Sequence, residues 1–234
     1  MKFGVVVFPG TNCDRDCYNV LKNVIRQDVE YVWFKDKVNW DDYGLIVLPG
    51  GFSYGDYLRP AAIARFAPAL EGLSKYVEKG GLVLGICNGF QMLLELGLLP
   101  GAMIRNNNLQ FICKDVFLKI DENDSPFLSQ YEKGQIISLP IAHADGHYYI
   151  DDDGLKALQS NGQIVLRYCD DEGRVNQDTN PNGSIKGIAG LCNKDRNVLG
   201  LMPHPERASE EILGGSDGFK MFDSIVRFLD KKNK

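Results

Sequence analysis

The chain has 234 residues, 44% of them hydrophobic and 24% charged, with a net charge of −5. That is enough apolar material for one large α/β domain without disulfides, and the acidic balance removes the electrostatic case for a nucleic-acid partner. No apolar run reaches the ~20 residues a membrane-spanning helix needs, so no membrane association is expected.

Residues 3–8 form an apolar run broken at once by Pro9-Gly10. It is too short for a signal peptide and predicts a buried strand. Residues 14–26 carry Cys17, Val20, Leu21, Val24 and Ile25 at helical spacing, and a strand is expected near 29–34. Further continuous runs at 45–48 and 82–86 fit strands covered on both faces, as in a parallel sheet. Residues 61–79 are expected to be mainly helical, with Pro68 starting a second helix and Gly80-Gly81 ending it. After Leu99-Pro100-Gly101 the pattern changes to strands at 111–120, 135–141, 163–168, 185–191 and 198–201, joined by turns. Residues 151–161 fit a short helix or a loop, and residues 173–183 are turn-rich. The last element is an amphipathic helix over 218–231 with Phe219, Phe222, Ile225, Val226 and Leu229 on one face. The fold class is α/β: a mostly parallel central sheet with helices on both faces, plus a small antiparallel portion in the second half. No linker or composition break divides the chain, so a single domain over 1–234 is expected. The six scattered cysteines suggest free thiols in a reducing cytoplasm, and no Cys/His cluster has zinc-like spacing, so no metal is expected.

The sharpest local signal is Gly85-Ile86-Cys87-Asn88-Gly89-Phe90-Gln91 between a buried strand and a helical run. It is a nucleophile-elbow pattern with Cys in place of Ser. The flanking glycines allow strand and helix to approach, the helix N-terminus favours a thiolate on Cys87, and the Asn88 N–H would point toward a developing oxyanion. The competing reading is a buried structural cysteine.

A nucleophilic cysteine needs a base, and the base an orienting acid. Pro203-His204-Pro205-Glu206 supplies both two residues apart, on a backbone that Pro205 is expected to keep extended. His143, with Asp145 at the same spacing, is a second candidate. Pro49-Gly50-Gly51 follows another buried strand and bares backbone N–H groups. Beside the elbow it would supply a second oxyanion donor; it does not match a phosphate-binding loop.

Together these motifs resemble those of a class I (triad) glutamine amidotransferase. The resemblance implies Cys87 as nucleophile, His204 as base, Glu206 as its orienter, Gly51 and Asn88 as oxyanion donors, and Gln91 lining the glutamine pocket. The stretches 8–14, 51–59, 87–91, 140–143 and 201–207 are similar to the small glutaminase subunit of phosphoribosylformylglycinamidine synthase (PurQ type). That family takes L-glutamine and passes ammonia to a large synthetase subunit in purine synthesis, often with a small third subunit. The likeness implies no cofactor in this chain, ATP and Mg belonging to the partner. Asp145 stands where the family pattern has Glu, and Pro60-Ala61 where a Gly is expected. Asp56, Arg59 and His143 are candidates for the interface or the pocket; Asp56 and Arg59 fit either a partner contact or an internal ion pair. Other readings are peptidase-like and chaperone-like relatives with a cysteine elbow, which lack the Pro-His-Pro-Glu ending, the glutaminase subunit of another synthase, and a catalytically silent binding subunit.

Overall fold

Short runs that are apolar on both faces need cover on both sides, and this sets a central sheet between layers. In the computed structural model, which describes residues 2–232, five strands lie side by side in parallel. Their spatial order is β2 (Asp28–Trp33), β1 (Lys2–Val7), β3 (Tyr43–Leu48), β4 (Leu82–Ile86) and β11 (Val198–Leu201). Every residue of β4 and β11 is buried, whereas β2, at the edge, alternates between buried and exposed positions. The sheet continues without a break beyond β11. There β10 (Ile188–Cys192), β9 (Ile164–Cys169), β6 (Ile112–Ile120) and β7 (Ile136–His143) pair antiparallel in that order, making nine strands. The antiparallel portion expected in the second half is therefore an extension of the central sheet. A separate pair, β5 (Ala102–Ile104) with β8 (His147–Tyr149), was not expected, and strands of three residues leave no periodicity to read.

The helices cover the sheet. α1 (Asp14–Asn19) runs into a wider π turn over Val20–Val24 and buries Cys17, Val20 and Leu21. The stretch 61–79 is the main departure from expectation. Only α2 (Leu73–Glu78) is α-helical, preceded by single 3-10 turns at Ala64–Phe66 and Pro68–Leu70. Pro68 forces Ala67 into an extended conformation, and Gly72 adopts φ 79 just before α2, so no helix runs through. α3 (Asn88–Glu95) follows β4 directly. α4 (Asp152–Ser160) settles the helix-or-loop question at 151–161, because the Asp151 carboxylate accepts from the Gly154 N–H at 2.8 Å and caps it. α5 (Phe219–Lys232) buries Met221, Phe222, Ile225 and Leu229; Phe219 and Val226 are only half-buried.

Parallel pairing brings distant motifs to one edge. Leu48 is in register with Gly85, and Ile86 with Leu201, so the chain leaves β3, β4 and β11 at the same end of the sheet. Residues outside the carboxyl ends of parallel strands form the usual ligand crevice of such sheets.

Two glycines set how tightly this edge packs. A Cβ at Gly89 would drive into the Leu48 backbone carbonyl, and one at Gly200 into the Phe90 ring. A backbone carbonyl inside a sheet cannot yield, whereas a ring can turn. Gly89→Ala is expected to destabilise by ~3 kcal/mol or more and Gly200→Ala by less. Urea unfolding midpoints of the two variants check this order.

Candidate active site

Cys87 ends β4 and caps α3 with φ 51 and ψ −104, a backbone conformation that L-residues rarely adopt. Its N–H donates to Leu201 O at 2.8 Å, which holds the elbow to β11, and its Sγ lies 3.8 Å from Ala142 O. The elbow is closed by its glycines. A Cβ at Gly85 would come within 2.6 Å of Gly89 O, so the strand and α3 touch only because both positions are bare. The Asn88 carboxamide accepts from the Ser53 N–H at 3.1 Å and donates to Gln91 Oε1 at 2.8 Å and Asp56 Oδ1 at 3.2 Å. Gln91 in turn donates to Asp145 O at 2.6 Å. Both ends of Gln91 are thus engaged within the chain, and it ties α3 to the loop at 145.

His204 and Glu206 are fully buried, with His204 Nδ1 2.6 Å from Glu206 Oε1. The route to this contact differs from the extended backbone expected. Pro205 opens a single 3-10 turn over Pro205–Arg207, its fixed φ being as suited to a helical first turn as to a strand, and the turn folds the carboxylate back to the ring. The ring's Nε2 has no hydrogen-bond partner among the described residues. Gly50 shows how closely the groups converge. A Cβ placed there would lie 2.8 Å from His204 Cε1, 3.0 Å from Cys13 Sγ and 3.4 Å from Cys87 Cβ. Burial works to lower the His204 pKa. That is the largest single influence, but the Glu206 carboxylate and the Cys87 and Cys13 sulfurs together outweigh it, and the imidazole is held well above its usual range.

The glycine turn is sewn to the loop after β1. Gly51 has φ 148 and bridges Thr11; a Cβ on it would meet Asn12 N and Thr11 Cα at 2.8 Å. Phe52 N–H donates to Gly10 O at 3.0 Å, and Cys13 N–H to Gly50 O at 3.2 Å. This loop carries what the motif reading passed over. Cys13 Sγ accepts from Arg207 Nη2 at 3.0 Å, and Arg207 Nε lies 3.4 Å from Asp16 Oδ2. The available signal was the position of Cys13 at a strand end and of Arg207 directly after Glu206.

His143 lies in a different setting. Its Nδ1 is 3.1 Å from Asn106 Oδ1 and its Nε2 3.4 Å from Asn182 Nδ2, with no carboxylate braced against it among the described residues. Asp145 meets the neighbourhood through its backbone carbonyl. Asp56 is pushed up to about 6 by burial and by the nearby Asp145 charge, against the hydrogen bond from Asn88. Arg59 makes a two-pronged pair with Glu95 on α3 at 2.7 Å, so the internal ion pair exists but does not involve Asp56. Ala61, where a glycine was expected, has φ 64, the conformation glycine adopts without strain. All six cysteines are free thiols. Cys13, His204 and Glu206 offer ligand atoms within 4.8 Å of one another, the one such group among the described residues, but the Arg207 guanidinium already places a positive charge against the sulfur.

A buried cysteine at a strained elbow, close to an imidazole held by a carboxylate, is the arrangement used for acyl transfer through a thioester. On a sheet of this kind it defines the class of triad amidotransferases. The model of the CobB/CobQ-like glutamine amidotransferase domain matches residues 1–228. Phosphoribosylformylglycinamidine synthase subunit PurQ of Moorella thermoacetica is 54% identical over 231 residues, covering 99% of this chain and 98% of that one. Its counterpart in Alkaliphilus metalliredigens is 53% identical over 230 residues, covering 98% and 97%. A chain in the structure of PurLQS from Thermotoga maritima superposes with a TM-score of 0.84 at 49% identity, covering 97% and 98%. The chain belongs to the glutamine amidotransferase family, in its PurQ branch. No helix among the described residues is long and apolar enough to cross a membrane.

The buried His143 yields a pH signature. Its pKa is lowered by burial, and by the neighbouring His204, from 6.5 to about 4. The unfolded chain therefore binds a proton in the window between those values that the folded chain does not, and stability falls as pH drops through it. The loss from this one group is about 2 kcal/mol between pH 7 and pH 5. Unfolding free energies from denaturant titrations at the two pH values should converge by roughly that amount in His143→Gln relative to the parent chain.

Proposed function

We propose that this chain is the glutaminase subunit of a phosphoribosylformylglycinamidine synthase, one domain over residues 1–234. It hydrolyses L-glutamine to glutamate and ammonia for an ATP-dependent synthetase subunit in purine synthesis. The observation that carries the reading is the buried His204–Glu206 pair, whose ring packs with Cys87 around Gly50, in a chain about half identical over its full length to PurQ subunits. The relative from Thermotoga maritima is part of an assembly named PurLQS, which supports a large synthetase subunit and a small third subunit as partners here. ATP and Mg act on the partner, and the complex works in the cytoplasm.

The geometry supports the following chemistry. The Cys87 thiolate attacks the carboxamide carbon of glutamine, and the oxyanion that forms is met by the N–H groups of Gly51 and Asn88. Each such donor is worth about 2.7–4 kcal/mol of barrier. Glu206 holds Nδ1, so Nε2 is the nitrogen that exchanges protons. It delivers one to the departing ammonia, then takes one from the water that opens the glutamyl thioester. Glutamate leaves and the thiolate is restored. Both ends of Gln91 are bound internally, so its part is to hold the pocket wall, with Asn88, Asp56 and the loop at 145 as its neighbours.

Cys87→Ala is expected to abolish glutamine turnover, a loss of at least ~10³-fold, and Glu206→Gln to cost roughly 10²–10⁴-fold because the wrong tautomer is held. His143→Asn should cost less than about tenfold, since that ring lacks a bracing carboxylate. A glutamine-mimicking electrophile such as 6-diazo-5-oxo-L-norleucine should label Cys87, as read by peptide mass. Normal turnover in Cys87→Ala, or no adduct even with the synthetase present, sinks the reading. Adding the synthetase subunit should raise ammonia release; a reconstituted mixture with no rise sinks the coupling.

A further inference from the structure

We propose that Cys13 is a positioning residue for the reaction: its sulfur, anchored by Arg207, packs beside the His204 ring and ties it to the glycine turn that carries Gly51. This rests on the glutaminase reading above. Cys13 lies just beyond β1 and is buried, 2% exposed. Three independent contacts fix it. Its N–H donates to Gly50 O at 3.2 Å, its Sγ donates to Asn12 Oδ1 at 3.3 Å, and the same sulfur accepts from Arg207 Nη2 at 3.0 Å. Arg207 is itself held by Asp16 of α1. The sulfur therefore belongs to a chain of groups, Asp16, Arg207, Cys13, that ends against the His204–Glu206 pair, with ligand atoms of Cys13, His204 and Glu206 all within 4.8 Å.

The space at Gly50 shows what this accomplishes. Cys13 Sγ, His204 Cε1 and Cys87 Cβ all surround the one point where a Gly50 side chain would be. The ring thus has the Cys13 sulfur beside it as well as Glu206 as its brace, and the sulfur and the elbow cysteine meet it around the same point. Because the Cys13 amide is bonded to Gly50, a shift of the glycine turn and a shift of the imidazole are mechanically one motion. Glu206 alone fixes the tautomer; Cys13 fixes the plane of the ring and its distance from the turn. The charged and titratable groups around the ring are Glu206 and Arg207 on its own turn, Cys87 at the elbow, Cys13 and Asp16 at the start of α1, and His143 at the end of β7. The sulfur also helps hold the ring in its protonated form.

The rival role is that of a core thiol which only fills space. Glutamine turnover by the full chain with its synthetase partner, together with Cys87 labelling by 6-diazo-5-oxo-L-norleucine, separates the two. Cys13→Ala is expected to lower kcat roughly 10–100-fold, as a displaced catalytic group does, with KM for glutamine changed by less than about threefold. It should slow Cys87 labelling in step and move the alkaline limb of the kcat profile to lower pH. Cys13→Ser, which keeps a polar partner for Arg207, should regain at least about a third of the lost rate. Cys13→Ala with more than about half the parent kcat, an unchanged pH profile and unchanged labelling overturns the proposal. If Cys13→Ala does not fold, Cys13→Ser decides. A kcat below about two thirds of the parent value, with labelling slowed in step, supports the role, and parent-like values on both overturn it. A parent chain that neither releases ammonia nor takes label fails the glutaminase reading itself, and this inference falls with it.

Discussion

Taking a carboxylate and an imidazole out of water costs several kcal/mol per charge, and the loss is recovered only when the two meet at hydrogen-bond distance with their surroundings in order. Glu206 and His204 meet at 2.6 Å with both side chains closed to solvent. Most of the neighbouring architecture serves this one contact. The His204 N–H is held by Pro140 O at 2.8 Å, the turn at Pro205 returns the carboxylate to the ring, and Gly218 fits only because it lacks a Cβ against the Pro205 carbonyl. Ser209 Oγ donates to that same carbonyl at 2.7 Å. The pair is locked from its own backbone outward.

The sheet supplies the second half of the arrangement. β4 and β11 run parallel and in register, and their ends set the cysteine and the imidazole side by side without a long loop to position either. β3 adds the glycine turn from the other side of β4. Sites carried on strand ends are held more precisely than sites on free loops. Here the loop after β1 is tied down as well, through its bonds to residues 50–54.

Much of this was legible in the sequence because strand ends punctuate themselves. Apolar runs stop at Gly or Pro, and residues 82–86 and 198–201 matched β4 and β11 at both ends. The elbow and the His-Pro-Glu stretch carried their chemistry in a few adjacent residues. What was hidden needed contacts between segments far apart. Cys13 could not be joined to Arg207 by any spacing rule, since the contact spans 194 positions. Gln91 showed its type but not its partners, which lie at 88 and 145. The helical pattern at 61–79 failed for a local reason, because Pro68 and the left-handed Gly72 outweighed an otherwise favourable spacing. The joining of the two halves into one nine-stranded sheet was invisible because pairing partners are not encoded in period or composition.

The neighbour relation of β4 and β11 also dictates how the molecule must be born. A ribosome delivers β4 more than a hundred residues before the strand that will flank it, so one side of an entirely apolar strand waits unpaired while the intervening chain emerges. An open edge of that kind invites the wrong neighbour, and the interval favours shelter by a chaperone. The Cys87 thiol is likewise synthesised more than a hundred residues before His204, so the two can come together only after β11 has been made.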